Sequence, residues 1–151
     1  MNGSALASFR GLWFTRRMRK QIAFVLFALF ALPLLADDRD EIRRVALDYA
    51  EGWYAGDADR MARALHPDLA KRIAKGDKVD HMSAEKLIEG TRRGSGKNTP
   101  KERQLADVRI LDVFGNAASV RLEMSGWIDY LHVAKVGGEW KIVNVLWELK
   151  K

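Results

Sequence analysis

Residues 129–148 read DYLHVAKVGGEWKIVNVLWE, two runs of β-branched and aromatic residues hinged on Gly137-Gly138. Paired glycines supply the positive φ of a two-residue hairpin turn, so the stretch predicts two antiparallel strands, 127–136 and 140–149. Both strands are apolar on both faces. Direct pairing across the glycines places Trp127, Asp129, Leu131 and Val133 on one face with Ile142, Asn144 and Leu146. The other face then holds Ile128, Tyr130, His132 and Ala134 with Val143, Val145 and Trp147. A sheet with one wet face alternates more cleanly. Either helices cover one face and a second subunit the other, or the sheet curls around a cavity.

Moving toward the N-terminus, period-two alternation continues. Val108 to Val113 and Val120 to Met124 flank Gly115-Asn116, a second hairpin turn. Asp129 is a carboxylate in an apolar strand. With Ser125-Gly126 as a tight turn it shares a face with Val120 and Leu122, and there it needs a hydrogen-bond partner. A one-residue bulge would instead bring Tyr130 and His132 to that face. Residues 92–103, RRGSGKNTPKER, resemble a phosphate loop only superficially. Thr91 replaces the first glycine and Asn98 the Ser or Thr, so a solvated loop is expected.

Earlier still, the period is helical. Ile42, Val45, Tyr49 and Trp53 recur at spacings of three and four, and Gly56 stops the run. Acidic residues from Asp37 to Glu41 suit a helix N-terminus. Asp57 reads as the cap of a second helix ending near His66-Pro67, and Ser83 as the cap of a third. Residues 68–82 look irregular. The expected fold is α+β, three helices followed by four antiparallel strands.

Residues 1–36 stand apart. Arg16, Arg17, Arg19 and Lys20 precede an apolar run from Ile22 to Leu35, and Ala36 leads into acidic residues. These are the parts of a cleavable secretory signal, with Met18 an alternative start, so a secreted or periplasmic domain of residues 37–151 is expected. The apolar run is short of the roughly 20 residues that span a bilayer. Leu34 stands where a smaller residue usually precedes the cut, which leaves an uncleaved anchor as the alternative. The segment holds five of the 26 basic residues and no acid, leaving 21 against 20 acids, a net charge of +1. The basic pI is therefore no argument for nucleic-acid binding. With no cysteine, disulfides and thiol chemistry are excluded. His66, His81 and His132 show no metal-ligand spacing, so neither metal nor cofactor is expected.

Three segments together carry a resemblance: YAEGWYAGD (49–57), ALHPDLAKR (64–72) and the closing hairpin. Residues 38–150 resemble the nuclear-transport-factor-2-like superfamily, and within it the group named putative lumazine-binding, relatives of ketosteroid isomerases and polyketide cyclases. The resemblance implies a cone-shaped fold whose curved sheet wraps the first helix around a pocket, and dimerisation through the sheet. It places Tyr49 at the isomerases' oxyanion-holding tyrosine, Leu122 on a pocket-lining strand and Trp147 at an aromatic pocket position. Asp129 or His132 falls near the second acid, depending on how the glycine turn is aligned. The catalytic base has no counterpart: its place is Ile73, beside Lys71 and Arg72.

The favoured reading is a non-catalytic, exported domain binding a small aromatic or polycyclic molecule. Its site comprises Tyr49, Trp53, Leu122, Asp129, Tyr130, His132 and Trp147, and it forms a homodimer without membrane attachment once the signal is cut. The alternatives are an isomerase, dehydratase or cyclase using Tyr49 with Asp129 or His132, and an interaction module acting through its sheet.

Overall fold

In the computed structural model, residues 37–151 are described; the targeting segment inferred above lies outside them. The described chain runs α1 (Asp38–Ala55), α2 (Ala58–Ala64), β1 (Leu65–Lys75), β2 (Lys78–Ser83), α3 (Ala84–Arg92), β3 (Ala106–Phe114), β4 (Ala117–Met124), β5 (Trp127–Val136) and β6 (Glu139–Leu149). A short 3-10 turn, Lys101–Arg103, precedes β3.

Asp57 and Ser83 cap their helices as read, and Asp37 of the acidic run caps the first. Asp37, Asp57 and Ser83 each accept a backbone N–H from the first turn of α1, α2 and α3. Gly56 ends α1 in the left-handed conformation, φ 66°. The stripe Ile42, Val45, Ala46, Tyr49 and Ala50 is buried and packs against the sheet. Tyr54, one turn past Ala50 on the same stripe, is tied by its hydroxyl to Leu105 and Ser125 beside the ends of β3 and β4.

The sheet differs from expectation in two respects. Residues 65–83 are not irregular: they form a hairpin turned at Gly76-Asp77, with Lys75 opposite Lys78 and Gly76 at φ 59°. The sheet thus has six strands in the order β2-β1-β6-β5-β4-β3, and α3 follows the first hairpin. It is mixed, because β1 pairs parallel with β6 while every other pair is antiparallel. The first hairpin was hidden by its charge. β2 is exposed along most of its length, so its hydrophobic signal is weak.

The second difference is register. Gly137-Gly138 does form the predicted turn, with Val136 opposite Glu139. Beyond Val133↔Ile142, however, β6 holds one extra residue, Val143, so His132 faces Asn144, Leu131 faces Val145 and Asp129 faces Trp147. One bulged residue reverses the facing of every later side chain. Val145 and Trp147 therefore join Asp129, Leu131 and Val133 on the helix side. Asn144 and Leu146 join Tyr130 and His132 on the other. The bulge considered for β5 occurs in β6 instead.

Candidate functional site

Between α1, α3 and the β1-β6-β5 face lies a cavity of about 220 Å³. Tyr49 and Trp53 line it from α1, Leu87 from α3 and Met82 from the end of β2. Trp127, Trp147 and Leu149 close it from the final hairpin, and Lys71 enters from β1. Trp127 packs edge-on against both Trp53 and Trp147, at 6.2 and 6.3 Å between ring centres. Edge-to-face stacking of this kind holds the rings in fixed orientations. The walls are apolar apart from one spot.

That spot is a buried polar cluster. Lys71 alternates inward between Leu69 and Ile73, and its ammonium reaches past Trp147 of the intervening strand to Asp129. Lys71 Nζ donates to Asp129 Oδ1 at 2.5 Å and to the Tyr49 hydroxyl at 2.7 Å. Trp127 Nε1 donates to Asp129 Oδ2 at 2.8 Å. The ammonium also lies 4.8 Å from the Trp147 ring centre and 5.4 Å from that of Tyr49, within cation–π range. Asp129 is wholly buried, and the Lys71 side chain is 8% exposed. A buried carboxylate survives only with such partners.

Burial pushes the Lys71 ammonium below its ordinary pKa, and the charge of Asp129 opposes that drop. Burial pushes the Tyr49 phenol well above its ordinary value, with the neighbouring Asp129 charge adding to the rise. Tyr49 is therefore a neutral hydroxyl that accepts from an ammonium.

Of the residues expected at the site, Tyr49, Trp53 and Trp147 line the cavity and Asp129 sits at its polar spot. Leu122 is fully buried beside Asp129 in register but belongs to the core, outside the lining. Tyr130 and His132 are corrections. Both point to the opposite face, where Tyr130 is 46% exposed. There His132 Nδ1 meets Asn144, which in turn accepts from Arg72, a polar ladder across β5, β6 and β1. Alternation from an inward Asp129 forces this placement. Sequence reasoning missed Trp127 and, at the polar spot, Lys71, together with the apolar Met82, Leu87 and Leu149. For Lys71 a signal existed: the alternation Leu69, Lys71, Ile73 leading into Gly76-Asp77, a strand pattern carrying a charge at an inward position.

The loop read as solvated is partly structural. Gly96 is buried against the backbone and ring of Trp53, leaving no space for a Cβ. It thereby backs the wall that Trp53 presents to the cavity. A larger groove of about 700 Å³ runs between α2, the start of β1 and α3 but has no comparable buried polar cluster. Among the described residues no three His, Asp or Glu side chains converge on a point where a metal could be held.

A mixed sheet with helices over one face and a pocket between them is the architecture of nuclear-transport-factor-2-like proteins, and solved structures agree. An NTF2-like protein of unknown function from Shewanella baltica OS155 is 24% identical, with TM-score 0.62, over 76% of this chain and 94% of that one. One from Methylobacillus flagellatus KT is 26% identical, with TM-score 0.60, over 80% of this chain and 98% of that one. A hexachlorocyclohexane dehydrochlorinase shares the fold at 12% identity and TM-score 0.53, over 75% of this chain and 85% of that one. No curated protein matches the sequence. The profile of the family described as "Putative lumazine-binding" matches residues 37–148. The chain belongs to that family.

Proposed function

We propose that the protein is an exported small-ligand-binding domain, and that its ligand is a planar apolar molecule held among Tyr49, Trp53, Trp127 and Trp147. The observation that carries this reading is an apolar, aromatic-walled cavity whose polar groups converge at a single point, the composition usual for small-molecule sites. At about 220 Å³ it falls below the ~300–1,000 Å³ typical of such sites, which favours a ligand of one or two rings.

The catalytic alternative is weaker. His132 lies on the far face, and both oxygens of Asp129 are engaged by Lys71 and Trp127. Neither is a free base aimed at a substrate C–H, as an isomerase or dehydratase requires; the nitrogen that Asp129 faces is that of Lys71.

Export is inferred from the basic flank, apolar run and Ala36 of residues 16–36, and it predicts protein recovered outside the cytoplasm beginning at Asp37. Homodimerisation is inferred from the exposed Tyr130, Leu146 and Leu111 on the outer sheet face. A monomer in sedimentation at micromolar concentration argues against it.

Titration of small aromatic compounds, followed by tryptophan fluorescence, tests the central reading. Binding should perturb the emission saturably, and Trp147→Ala should weaken it. Binders that ignore Trp147→Ala would move the site elsewhere.

A further inference from the structure

We propose that Lys71 captures small apolar carbonyl compounds as a Schiff base, with Asp129 as the proton carrier and Tyr49 as the hydrogen-bonding partner of the reacting nitrogen. The inference rests on the cavity being the ligand site. Among the described residues Lys71 is the one buried lysine. Its nitrogen stands beside the Tyr49 and Trp147 rings that line the cavity.

Charge and hydrogen bonding select the ligand class. An ammonium has three donors, and Lys71 directs two of them to Asp129 and Tyr49. The third has no acceptor among the described residues and is free for a ligand oxygen. Lys71 and Asp129 balance one another, and the rest of the lining is uncharged. A carboxylate ligand would add an uncompensated buried charge, whereas a ketone or aldehyde oxygen adds none.

The step balances on residues present. Asp129 Oδ1 takes a proton from the ammonium, and the freed nitrogen pair adds to the carbonyl carbon as the C=O π bond breaks. A proton passes from nitrogen to oxygen, giving the carbinolamine. Asp129 then protonates the hydroxyl, the C–O bond breaks, water leaves, and the nitrogen pair forms C=N. Nothing is oxidised or reduced. The product is an iminium with one positive charge beside the Asp129 carboxylate, so the original ion pair is preserved in kind. Lysines desolvated in apolar pockets are the ones that react in this way. The depressed pKa of Lys71 raises its unprotonated fraction above that of the solvated lysines.

The test exposes the protein at neutral pH to 2-naphthaldehyde with cyanoborohydride, which fixes any imine as a stable amine, and maps the labelled peptides. Lys71 should be labelled about tenfold or more faster than any exposed lysine. Asp129→Asn should slow that labelling, and Lys71→Arg should abolish the fast label alone. Because the wild-type peptide map is decisive, a variant that fails to fold does not blunt the test. Label spread over exposed lysines with Lys71 unmodified would overturn the proposal. If naphthaldehyde then still quenches tryptophan emission saturably, the cavity remains a ligand site and only the covalent step is lost. Absence of both quenching and Lys71 label would remove both.

Discussion

Replacing Asp129 with asparagine removes one charge from a deeply buried pair. Lys71 would then be a buried ammonium beside two aromatic rings and a neutral amide. Breaking one side of a buried ion pair costs about 3–5 kcal/mol, far above the ~0–1 kcal/mol of a surface pair. The 8% and 0% exposures of the two side chains put this pair in the first class. Lys71→Met should cost a similar amount, since Asp129 keeps only the Trp127 N–H. The double variant Lys71→Met/Asp129→Leu removes both charges. Apolar replacement of a buried pair gains about 1–4 kcal/mol. Against this, Trp127 Nε1 loses its acceptor at about 1–3 kcal/mol, so the double variant should lie between about 2 kcal/mol less and about 3 kcal/mol more stable than wild type. The coupling energy of the cycle should therefore be about 4 kcal/mol or more. Urea unfolding of the four proteins, followed by circular dichroism, measures it. Single variants that each cost under about 1 kcal/mol and simply add would show that the pair is solvated, and the account of the polar spot would fail.

Tyr49→Phe removes a hydroxyl that accepts from the ammonium, so it should cost about 1.5–3 kcal/mol, whereas Tyr49→Ala, losing the packed ring, should cost roughly 3–5 kcal/mol. Alkaline pH separates the two titrating groups. The native Lys71 pKa lies below 10.5, so the unfolded chain binds more protons in that window and stability rises with pH there. The native Tyr49 pKa lies well above 10.0, so above pH 10 the native state holds the extra proton and stability falls. Urea midpoints against pH should lose the fall, and keep the rise, in Tyr49→Phe. Gly96→Ala drives a Cβ into the Trp53 backbone and ring, and it should cost roughly 1–3 kcal/mol with a shift in tryptophan emission; unchanged stability and emission would mean that this turn does not support the cavity wall.

The helices were legible because their signals are local: Asp57 and Ser83 as caps, the acidic run from Asp37 to Glu41, Gly56 as stop, and one apolar stripe. The last two hairpins were legible because glycine turns stand between apolar alternations. What the sequence hid was non-local. β1 earns its place by parallel pairing with β6, about seventy residues away, and its inward Lys71 looks like a solvent residue until its carboxylate is found. The facing of Trp147 depended on an extra Val143, which no composition rule marks. For Asp129 the sequence left two registers open; the sheet adopts the one with Ser125-Gly126 as a tight turn, and the bulge that would have brought Tyr130 and His132 inward does not form in β5.

β6, late in the chain, lies in the middle of the sheet, between β1 and β5. The β1–β2 hairpin emerges from synthesis long before the strand it must join, and Lys71 waits with it for Asp129. Until β6 arrives, the two halves of the sheet share no edge, and the cavity lacks Trp147 and Leu149. A topology that closes on a late central strand depends on non-local pairing, and such topologies fold more slowly than local ones. Were the chain exported as proposed, the delay would keep it threadable in transit, because the sheet does not close before β6 docks. The cavity can enclose a molecule only after β6 has docked, so its last wall and the sheet's last pairing form together.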